Sequence, residues 1–441
     1  MHRIQLLPLL LLLLLATLSA APSFASEEDA GGMGPAFSEG DVLGYDDVDK
    51  LRPYLPEEFW VNRDFFFFEG MQLEIGPSHH DYAPSKQMKD ATDAYHHLAR
   101  IGPDNSLEGY VAGRAFPTET IDCATDPQAG TKIMWSFRSF GGNGRASFYY
   151  SYWDRGEELP LYYEGTGGGI QLAHRIEPSY LEANGGDIFR NEKRKSASGV
   201  EVVAPFDARG IMLLTYRYKA ADKARSEAKN DDTWVYVPTL RRVRRISTAQ
   251  RTDSISGTDF TMDDLNSFNG VVPQYEWECL GELDIIAPGN TRMAGYPYNE
   301  DQSFGPFGLS FADDRWEMRK VWKVRMTPKN GDHPYSYKDI FIDQQTFVPH
   351  YSFAYDRKDE LWKIIWHAKR WSQDESLTGV WFPGSTEIPE PNALVVVSDL
   401  IVNVQTGTGN RIEFWDAHSI PDMSKGKIRR FIDVGRLTKG R

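Results

Sequence analysis

Seven charged residues in a short stretch of this chain have the types and spacing to bind an anionic group. Residues 233–246 read TWVYVPTLRRVRRI, with four arginines, and residues 257–265 read GTDFTMDDL, with three aspartates. The seven residues are Arg241, Arg242, Arg244, Arg245, Asp259, Asp263 and Asp264. Guanidinium groups on a β-sheet can bind phosphate or carboxylate groups through paired hydrogen bonds. The arginines, Asp259 and the preceding Trp234 and Tyr236 therefore form a hypothetical ligand-binding set.

A structural role for the same arginines is the competing interpretation. In a strand, Arg242 and Arg244 lie on one face and Arg241 and Arg245 on the other, so both faces mix charged and apolar side chains. Arginines in such positions can pair with carboxylates such as Asp259, Asp263 or Asp264 in a network that holds the fold. The formal net charge of −14 makes acidic partners abundant. The sequence leaves both head-group binding and a structural network open.

Other reactive residue types lack the spacing that a known chemistry requires. The pairs His79–His80 and His96–His97 point apart in a strand and lie about 100° apart on a helix, so no metal site is predicted. The run Gly165–Gly169 has no Lys-Ser/Thr after it, which excludes a phosphate-binding loop and predicts a flexible turn or bulge. No Gly-x-Ser-x-Gly nucleophile elbow occurs. We therefore predict no catalytic residue, no metal and no cofactor.

The elements that must position these residues are mostly β-strands. Aromatic-rich runs separated by turn residues follow one another from Arg145 onward, which is typical of antiparallel meanders. The predicted strands are 147–153, 159–165, 211–219, 234–237, 242–247, 275–286, 316–326, 337–342, 346–355, 361–371, 381–386, 393–404 and 411–415. Helical structure is predicted over 46–60, 85–100 and 128–137, and Phe65–Phe68 is predicted to be a buried strand. The expected fold class is mainly β (α+β), with a helical N-terminal part (43–140) and a sheet (145–441).

The first 25 residues have the features of a secretory signal peptide. An apolar run from Leu6 to Ala21 follows Arg3, and residues 23–25 fit a small-x-small cleavage site. We expect cleavage near Ala25, a disordered acidic linker over 26–42 and a single large β-rich domain over 43–441. The predicted location is the periplasm, with association with the outer membrane as a further expectation. The net charge of −14 argues against nucleic acid as a partner.

The chain has two cysteines, Cys123 and Cys279. In an oxidising compartment they can form one disulfide, which would stabilise the fold by at most about 5 kcal/mol because it closes a very long loop. Two buried free thiols are the alternative, and the sequence does not separate the two. Neither cysteine has a recognisable Cys-His context, so a cysteine nucleophile is not expected.

Several short motifs resemble domain-of-unknown-function family 1329, exported Gram-negative bacterial proteins known as outer-membrane lipoprotein-sorting proteins. The motifs are WxYxP at 234–238, RRVRR at 241–245, GTDFTxDDL at 257–265, GRAFP at 113–117, DxRG at 207–210, YRY at 216–218, RWE at 315–317, FID at 341–343 and YDR at 355–357. The resemblance implies a fold like that of the LolA and LolB lipoprotein carriers. That fold is a large, strongly curved antiparallel sheet, or incomplete β-barrel, with short helices on its concave side and an apolar cavity. Those carriers are much shorter, so much of this chain is elaboration.

The resemblance implies a carrier and supplies no catalytic residues. The leading expectation is a non-enzymatic periplasmic carrier or chaperone that binds a lipid or lipid-like molecule, with envelope transport proteins as partners. One alternative is an envelope hydrolase with unrecognised carboxylates, which two facing acids in a cleft would favour. Another is a structural subunit of an envelope complex, which a large exposed apolar patch would favour.

Overall fold

The computed structural model describes residues 35–77, 82, 84–139, 144–154, 157–246, 251–292, 304–371, 394–419 and 424–439. The predicted signal peptide, His79–His80 and the predicted strand 381–386 lie outside the described residues. Residues Phe37–Arg441 form one unit by their internal contacts. Each helix in the described part of the chain is too short or too polar to span a bilayer.

Strands make up most of the regular structure. They are β1 (Val42–Leu43), β2 (Leu73–Ile75), β3 (Arg100–Ile101), β4 (Leu107–Glu108), β5 (Gly144–Asp154), β6 (Glu157–Gln171), β7 (Arg194–Ala204), β8 (Met212–Tyr218), β9 (Asp232–Val237), β10 (Arg242–Ile246), β11 (Tyr275–Pro288), β12 (Arg315–Pro328), β13 (Tyr337–Asp343), β14 (Pro349–Tyr355), β15 (Leu361–Trp371), β16 (Leu394–Asn403) and β17 (Thr408–Ser419).

The helices are short. The α-helices are α1 (Glu57–Val61), α2 (Lys86–Tyr95), α3 (Ala129–Ser139), α4 (Pro178–Asn184), α5 (Lys425–Phe431) and α6 (Gly435–Lys439). The 3-10 helices are Tyr45–Tyr54, Arg63–Phe65, His96–Leu98, Pro103–Asn105, Thr118–Thr120, Lys219–Asp222, Pro238–Leu240, Ile255–Gly257, Leu265–Ser267 and Val272–Gln274.

One large sheet of 15 strands organises the fold. Its order is β1-β2-β12-β13-β14-β15-β16-β17-β5-β6-β7-β8-β9-β10, with β11 also paired to β12, while β3 and β4 pair separately. Among the described strands, β10 pairs only with β9, so the sheet is open and not a closed barrel. The predicted mainly β fold with a large, incompletely closed sheet is confirmed. One difference is that β2 runs parallel to β12, which makes the sheet mixed.

The sheet is buried on both of its faces. Phe341 of β13 belongs to the same apolar cluster as Phe59 of α1, whereas its neighbours Ile340 and Ile342 belong to a second cluster with Trp135 of α3. Successive residues of a strand point to opposite faces, so these two clusters lie on opposite sides. We call the Phe341 side face 1 and the Ile340 side face 2. Helical segments therefore pack on both faces, whereas the resemblance implied helices on the concave side.

Face 1 continues across β6–β8 to the C-terminal helices. Ile170 and Ala197 are cross-strand partners there, and both belong to one apolar cluster with Leu214. Ile428 of α5 and Leu437 of α6 complete this cluster. The two helices thus cover face 1 at the end of the sheet that carries β8–β10.

The predicted strand Phe65–Phe68 is wrong. A 3-10 helix covers Arg63–Phe65, and Phe66 is buried because its ring stacks on Phe59 with centroids 4.2 Å apart. Ring packing, not strand pairing, therefore buries this aromatic run. The predicted linker also differs at its end, because Phe37 is buried and Val42 pairs with Glu74.

A disulfide joins Cys123 to Cys279, with Cα atoms 5.5 Å apart. It connects the segment before α3 to β11, the strand against which α3 packs. The bridge and the helix therefore fix the N-terminal region to the same edge of the sheet.

Candidate ligand-binding site

Trp234 and Tyr236 of β9 face the C-terminal helices. Both are partly buried in the face 1 cluster that contains Leu437. The Trp234 ring makes an edge contact with Tyr216, with ring centroids 4.7 Å apart. The predicted aromatic pair therefore lies on face 1, the same side of the sheet as the cavity of about 410 Å³ that is described below.

The four arginines lie at the exposed edge of the sheet. Arg241 occupies the turn between β9 and β10 with φ 48°, and Arg242, Arg244 and Arg245 lie on the edge strand β10. Arg245 forms an ion pair with Asp232 of β9. Within the described residues, the other three arginines make no ion pair. The structure thus brings the arginines together with each other at a solvent-exposed edge.

Asp259 binds elsewhere, at the hairpin between β16 and β17. Its carboxylate accepts hydrogen bonds from Asn403 Nδ2 at 2.7 Å and Thr408 Oγ1 at 2.6 Å. Its carbonyl accepts one from Lys363 Nζ at 2.7 Å. The predicted ligand-binding set is therefore not assembled into one site, and Asp259 is bound by neutral and lysine donors instead of the arginines.

A cavity of about 410 Å³ lies between β5–β8 and the C-terminal helices. Its apolar lining includes Met212 and Leu214 of β8 with Phe431 and Leu437 of the helices. Three glycines, Gly167 and Gly168 of β6 and Gly199 of β7, also line it. We call this space the ligand cavity.

Glycine residues make room for the ligand cavity. A Cβ atom on Gly199 would lie 3.5 Å from the ring of Phe431, at ordinary contact distance, so a longer side chain there would enter the space. The run Gly165–Gly169, predicted to be a flexible turn or bulge, lies inside β6 and has a register irregularity at Glu164/Gly165. At Gly165 a Cβ would approach the Phe148 ring to 2.6 Å, so this position requires glycine.

Charged groups line part of the same cavity. They are two cations, Arg145 and Arg436, and two carboxylates, Glu201 and Asp433. An apolar space with a few charged groups is the usual form of a small-molecule site, since the polar groups orient the ligand and the apolar wall provides affinity. This arrangement can bind a molecule that is mainly hydrophobic and has a polar end.

A buried ionic network holds the segment 258–267 against face 2. Asp264 is fully buried, and its carboxylate lies 2.6 Å from Lys338 Nζ and 3.3 Å from Lys363 Nζ. Tyr335 Oη donates to it at 2.7 Å. Although burial raises the pKa of Asp264, the two ammonium groups lower it well below its usual range. Asp264 therefore belongs to a structural ion network, as one interpretation predicted, but its partners are two lysines and not the arginines of residues 241–245.

A Ser-His-Asp arrangement lies beside this network. Ser267 Oγ is 2.7 Å from His367 Nε2, and His367 Nδ1 is 2.6 Å from Asp399 Oδ1. All three side chains are buried. Burial lowers the pKa of His367 despite the opposing effect of Asp399, so the imidazole is neutral at pH 7 and can donate to Asp399 while accepting from Ser267. Sequence reasoning missed this set, because the residues are far apart in the chain and lie in no motif.

Comparisons with known proteins identify relatives. The profile of the family described as "Protein of unknown function (DUF1329)" matches residues 64–409. An uncharacterized protein of Pseudomonas aeruginosa is 29% identical over 270 residues, which are 59% of this chain and 54% of that protein. The chain thus spans about half the length of this curated relative.

The solved structures that align with this chain share less of its sequence. A DUF1329 family protein from Desulfovibrio piger aligns with a TM-score of 0.45 and 18% identity, over 71% of this chain and 100% of that chain. A domain from Vibrio parahaemolyticus, provisionally assigned as an outer membrane lipoprotein-sorting protein, aligns with a TM-score of 0.45 and 14% identity over the same shares. The family profile, which matches well over half of the chain, confirms the resemblance seen in the motifs, and the protein belongs to the DUF1329 family.

Proposed function

We propose that this protein is a periplasmic carrier that holds a lipid or another hydrophobic molecule in the ligand cavity. The observation that carries the proposal is the cavity of about 410 Å³ between the sheet and α5–α6. Its volume lies in the range of about 300–1,000 Å³ that small-molecule sites occupy. The export features of the N-terminal sequence support the location.

The cavity walls explain how such a ligand would be held. Transfer of apolar surface from water to the side chains of Met212, Leu214 and Phe431 stabilises a complex by about 25 cal/mol per Å². Arg145 and Arg436 can bind the polar end of an anionic amphiphile, while Glu201 and Asp433 disfavour a second negative charge. The proposed ligand class is therefore a hydrophobic molecule with at most one anionic group.

Filling the cavity tests the proposal. Gly199→Leu places a side chain beside Phe431 in the ligand cavity, whereas Gly331→Leu is a matched control at a position with nothing within 4 Å. We would titrate delipidated protein with a fluorescent dansyl fatty acid. Gly199→Leu is expected to weaken binding by about tenfold or more, since it excludes contacts that contribute about 1.5–3 kcal/mol per buried aliphatic group. Equal affinity of both variants and the wild type would refute the proposal.

The ligand itself is accessible to native mass spectrometry of protein purified from its own periplasm. A carrier is expected to retain a hydrophobic molecule that is released by denaturation and is depleted in Gly199→Leu. Protein that carries no hydrophobic molecule and binds none of the fluorescent fatty acid would exclude a carrier role for this cavity.

A second candidate function, a hydrolase, is favoured by the Ser-His-Asp arrangement. In this reaction Ser267 Oγ would attack a carbonyl carbon of an ester, and His367 Nε2 would take the hydroxyl proton and deliver it to the leaving alkoxide. Water would then release the acid from the serine ester by the reverse roles. The three side chains are buried, so a substrate could reach Ser267 only if the residues around it opened a path.

A covalent probe separates the two functions. A hydrolase is expected to react with a fluorophosphonate at Ser267, and Ser267→Ala would abolish the labelling detected by mass spectrometry. An unlabelled wild-type protein, with dansyl fatty acid binding intact, would assign Ser267, His367 and Asp399 to folding alone.

A further inference from the structure

A second, smaller cavity lies on face 2, behind the sheet from the ligand cavity. It has a volume of about 80 Å³ and is lined by Trp135 of α3, by Ser196 and Arg217 of the sheet, and by residues 270–272. Ser196 is the cross-strand partner of Arg217, and its neighbour Ala197 packs in the face 1 cluster. Adjacent strand residues point to opposite faces, so this space is distinct from the ligand cavity.

Positive charge predominates around the smaller cavity. The four cations are Arg138, Lys195, Arg217 and Arg251, and the three carboxylates are Asp222, Asp231 and Asp263. Lys195 Nζ pairs with Asp222 at 2.7 Å, and Arg251 Nε pairs with Asp263 at 2.5 Å. Arg217 and Arg251 share the third carboxylate, Asp231. These pairings use all three carboxylates and leave one cation in excess.

The excess charge belongs to Arg138. Its Nη2 donates to the amide oxygen of Asn269 at 3.0 Å, and within the described residues it forms no ion pair. Burial, with a further contribution from Arg217 and Arg251, lowers the pKa of Arg138 to about 9. Asp231 and Asp222 act in the opposite direction on this pKa. Arginine keeps its proton in proteins, so Arg138 remains a cation here and would attract an anion.

We propose that this cavity binds one small oxyanion, a carboxylate or phosphate group, between Arg138, Lys195 and Arg217. The volume of about 80 Å³ exceeds the roughly 30 Å³ of a single water and suits one such group. Guanidinium groups bind carboxylate and phosphate oxygens through pairs of short hydrogen bonds, which fits two arginines at one small space. Water in the same space would solvate the cations without neutralising the excess charge.

Removal of the unpaired cation provides the test. Wild-type protein and Arg138→Met would be dialysed free of phosphate and titrated with sodium phosphate, with sodium chloride at matched ionic strength as the reference. We expect phosphate to raise the Tm of the wild type, and Arg138→Met to weaken the apparent Kd at least about tenfold, as for the loss of one charged hydrogen bond. Arg100→Met is the control, because Arg100 is exposed and pairs with Glu108.

The stability of Arg138→Met in phosphate-free buffer distinguishes an anion-binding role of Arg138 from a purely structural one. If the excess charge is uncompensated in the free protein, Arg138→Met is as stable as the wild type or more stable in phosphate-free buffer. By contrast, Arg251→Met removes a cation that has two carboxylate partners and is expected to destabilise the protein in every buffer. Added phosphate is therefore expected to make the wild type more stable than Arg138→Met, an advantage that the wild type lacks in phosphate-free buffer.

The source of the oxyanion is separated by a second ligand. Inorganic phosphate would be compared with short-chain dihexanoyl phosphatidic acid below its micellar concentration. Tighter binding of the lipid that depends on Arg138 assigns the site to a head group, and equal or tighter binding of phosphate assigns it to a free ion. The proposal is overturned if neither compound raises the Tm, or if Arg138→Met responds as the wild type does.

Discussion

The buried carboxylate of Asp264 is expected to contribute several kcal/mol to the stability of the fold, because it neutralises two buried lysines. Asp264→Asn keeps the shape of the side chain and removes its charge, which leaves Lys338 and Lys363 without the carboxylate that lies 2.6 Å and 3.3 Å from their ammonium groups. Both lysines are almost completely buried, so water cannot replace the lost partner. Removal of one member of a buried ion pair costs about 3–5 kcal/mol. We expect a loss in this range or above, because two cations share the carboxylate.

The loss converts to a change in Tm. With an unfolding entropy of about 2.1 cal/mol/K per residue, a unit of roughly 400 residues has about 0.8 kcal/mol/K, so the substitution lowers Tm by about 4–6 °C. Differential scanning calorimetry at pH 7 measures this shift. Asp93→Asn is the matched control, because Asp93 forms an ion pair with Lys89 that is exposed to solvent, and exposed pairs contribute little to stability.

The sign of the pH effect follows from the lowered pKa of Asp264. A carboxyl group whose folded-state pKa lies below its unfolded value contributes stability that is present above the unfolded pKa of about 3.9 and is lost as pH falls toward the folded pKa. Wild-type stability is therefore expected to fall below about pH 4, with a contribution from this group of up to about 1.4 kcal/mol per pH unit. Asp264→Asn lacks this contribution, so the difference between the two proteins narrows in acid.

Two results would refute this reasoning. One is a loss below about 1 kcal/mol at pH 7, the size expected for an exposed pair. The other is a difference between wild type and Asp264→Asn that stays constant from pH 7 to pH 3. A triple variant, Asp264→Leu with Lys338→Met and Lys363→Met, is expected to recover much of the stability, since apolar groups of similar size can replace a buried ion network.

Three further predictions concern other parts of the fold. Cys123→Ser with Cys279→Ser is expected to lower the free energy of unfolding by up to about 5 kcal/mol, measured by denaturant titration, and no change would contradict the bridge. The double variant Arg242→Ala, Arg244→Ala is expected to change the free energy of unfolding by less than about 0.5 kcal/mol, because both side chains are exposed. A larger loss in the same titration would support the interpretation that these arginines belong to a structural network. Trp366→Ala is expected to cost about 3–5 kcal/mol, since the side chain is fully buried, and a Tm within 1 °C of wild type would contradict its place in the core.

Strands with alternating large side chains could be predicted from the sequence. The bounds of β15 (Leu361–Trp371) match the prediction, because it is rich in aromatic and β-branched residues, which favour extended structure. The sequence around β7 (Arg194–Ala204) gave no such signal, since RKSASGVEVVA has small and charged residues in its first half. This segment is extended because β6 and β8 bind it on both sides, which is a tertiary effect.

The candidate sites depend on contacts that the sequence does not encode locally. His367 and Asp399 lie side by side because β15 pairs with β16, and Ser267 reaches them from a segment that folds over face 2. Arg138 comes from α3, whereas Lys195 comes from β7, and only the packing of the helix on the sheet brings them to one cavity. Residue types alone indicated the importance of the segment 257–265. The residues that contact this segment could be identified only from the order of the strands in the sheet.

The weak strand signal of β7 and the presence of the ligand cavity have one physical cause. Gly199 has no side chain to favour a strand, and for the same reason it leaves open the space that Phe431 and Leu437 border. A larger residue there would strengthen the strand and fill the site, so stability and binding are expected to change in opposite directions. Gly199→Leu that raises Tm while weakening fatty-acid binding would support this link. A variant that loses both would indicate that the glycine serves the fold and not the cavity.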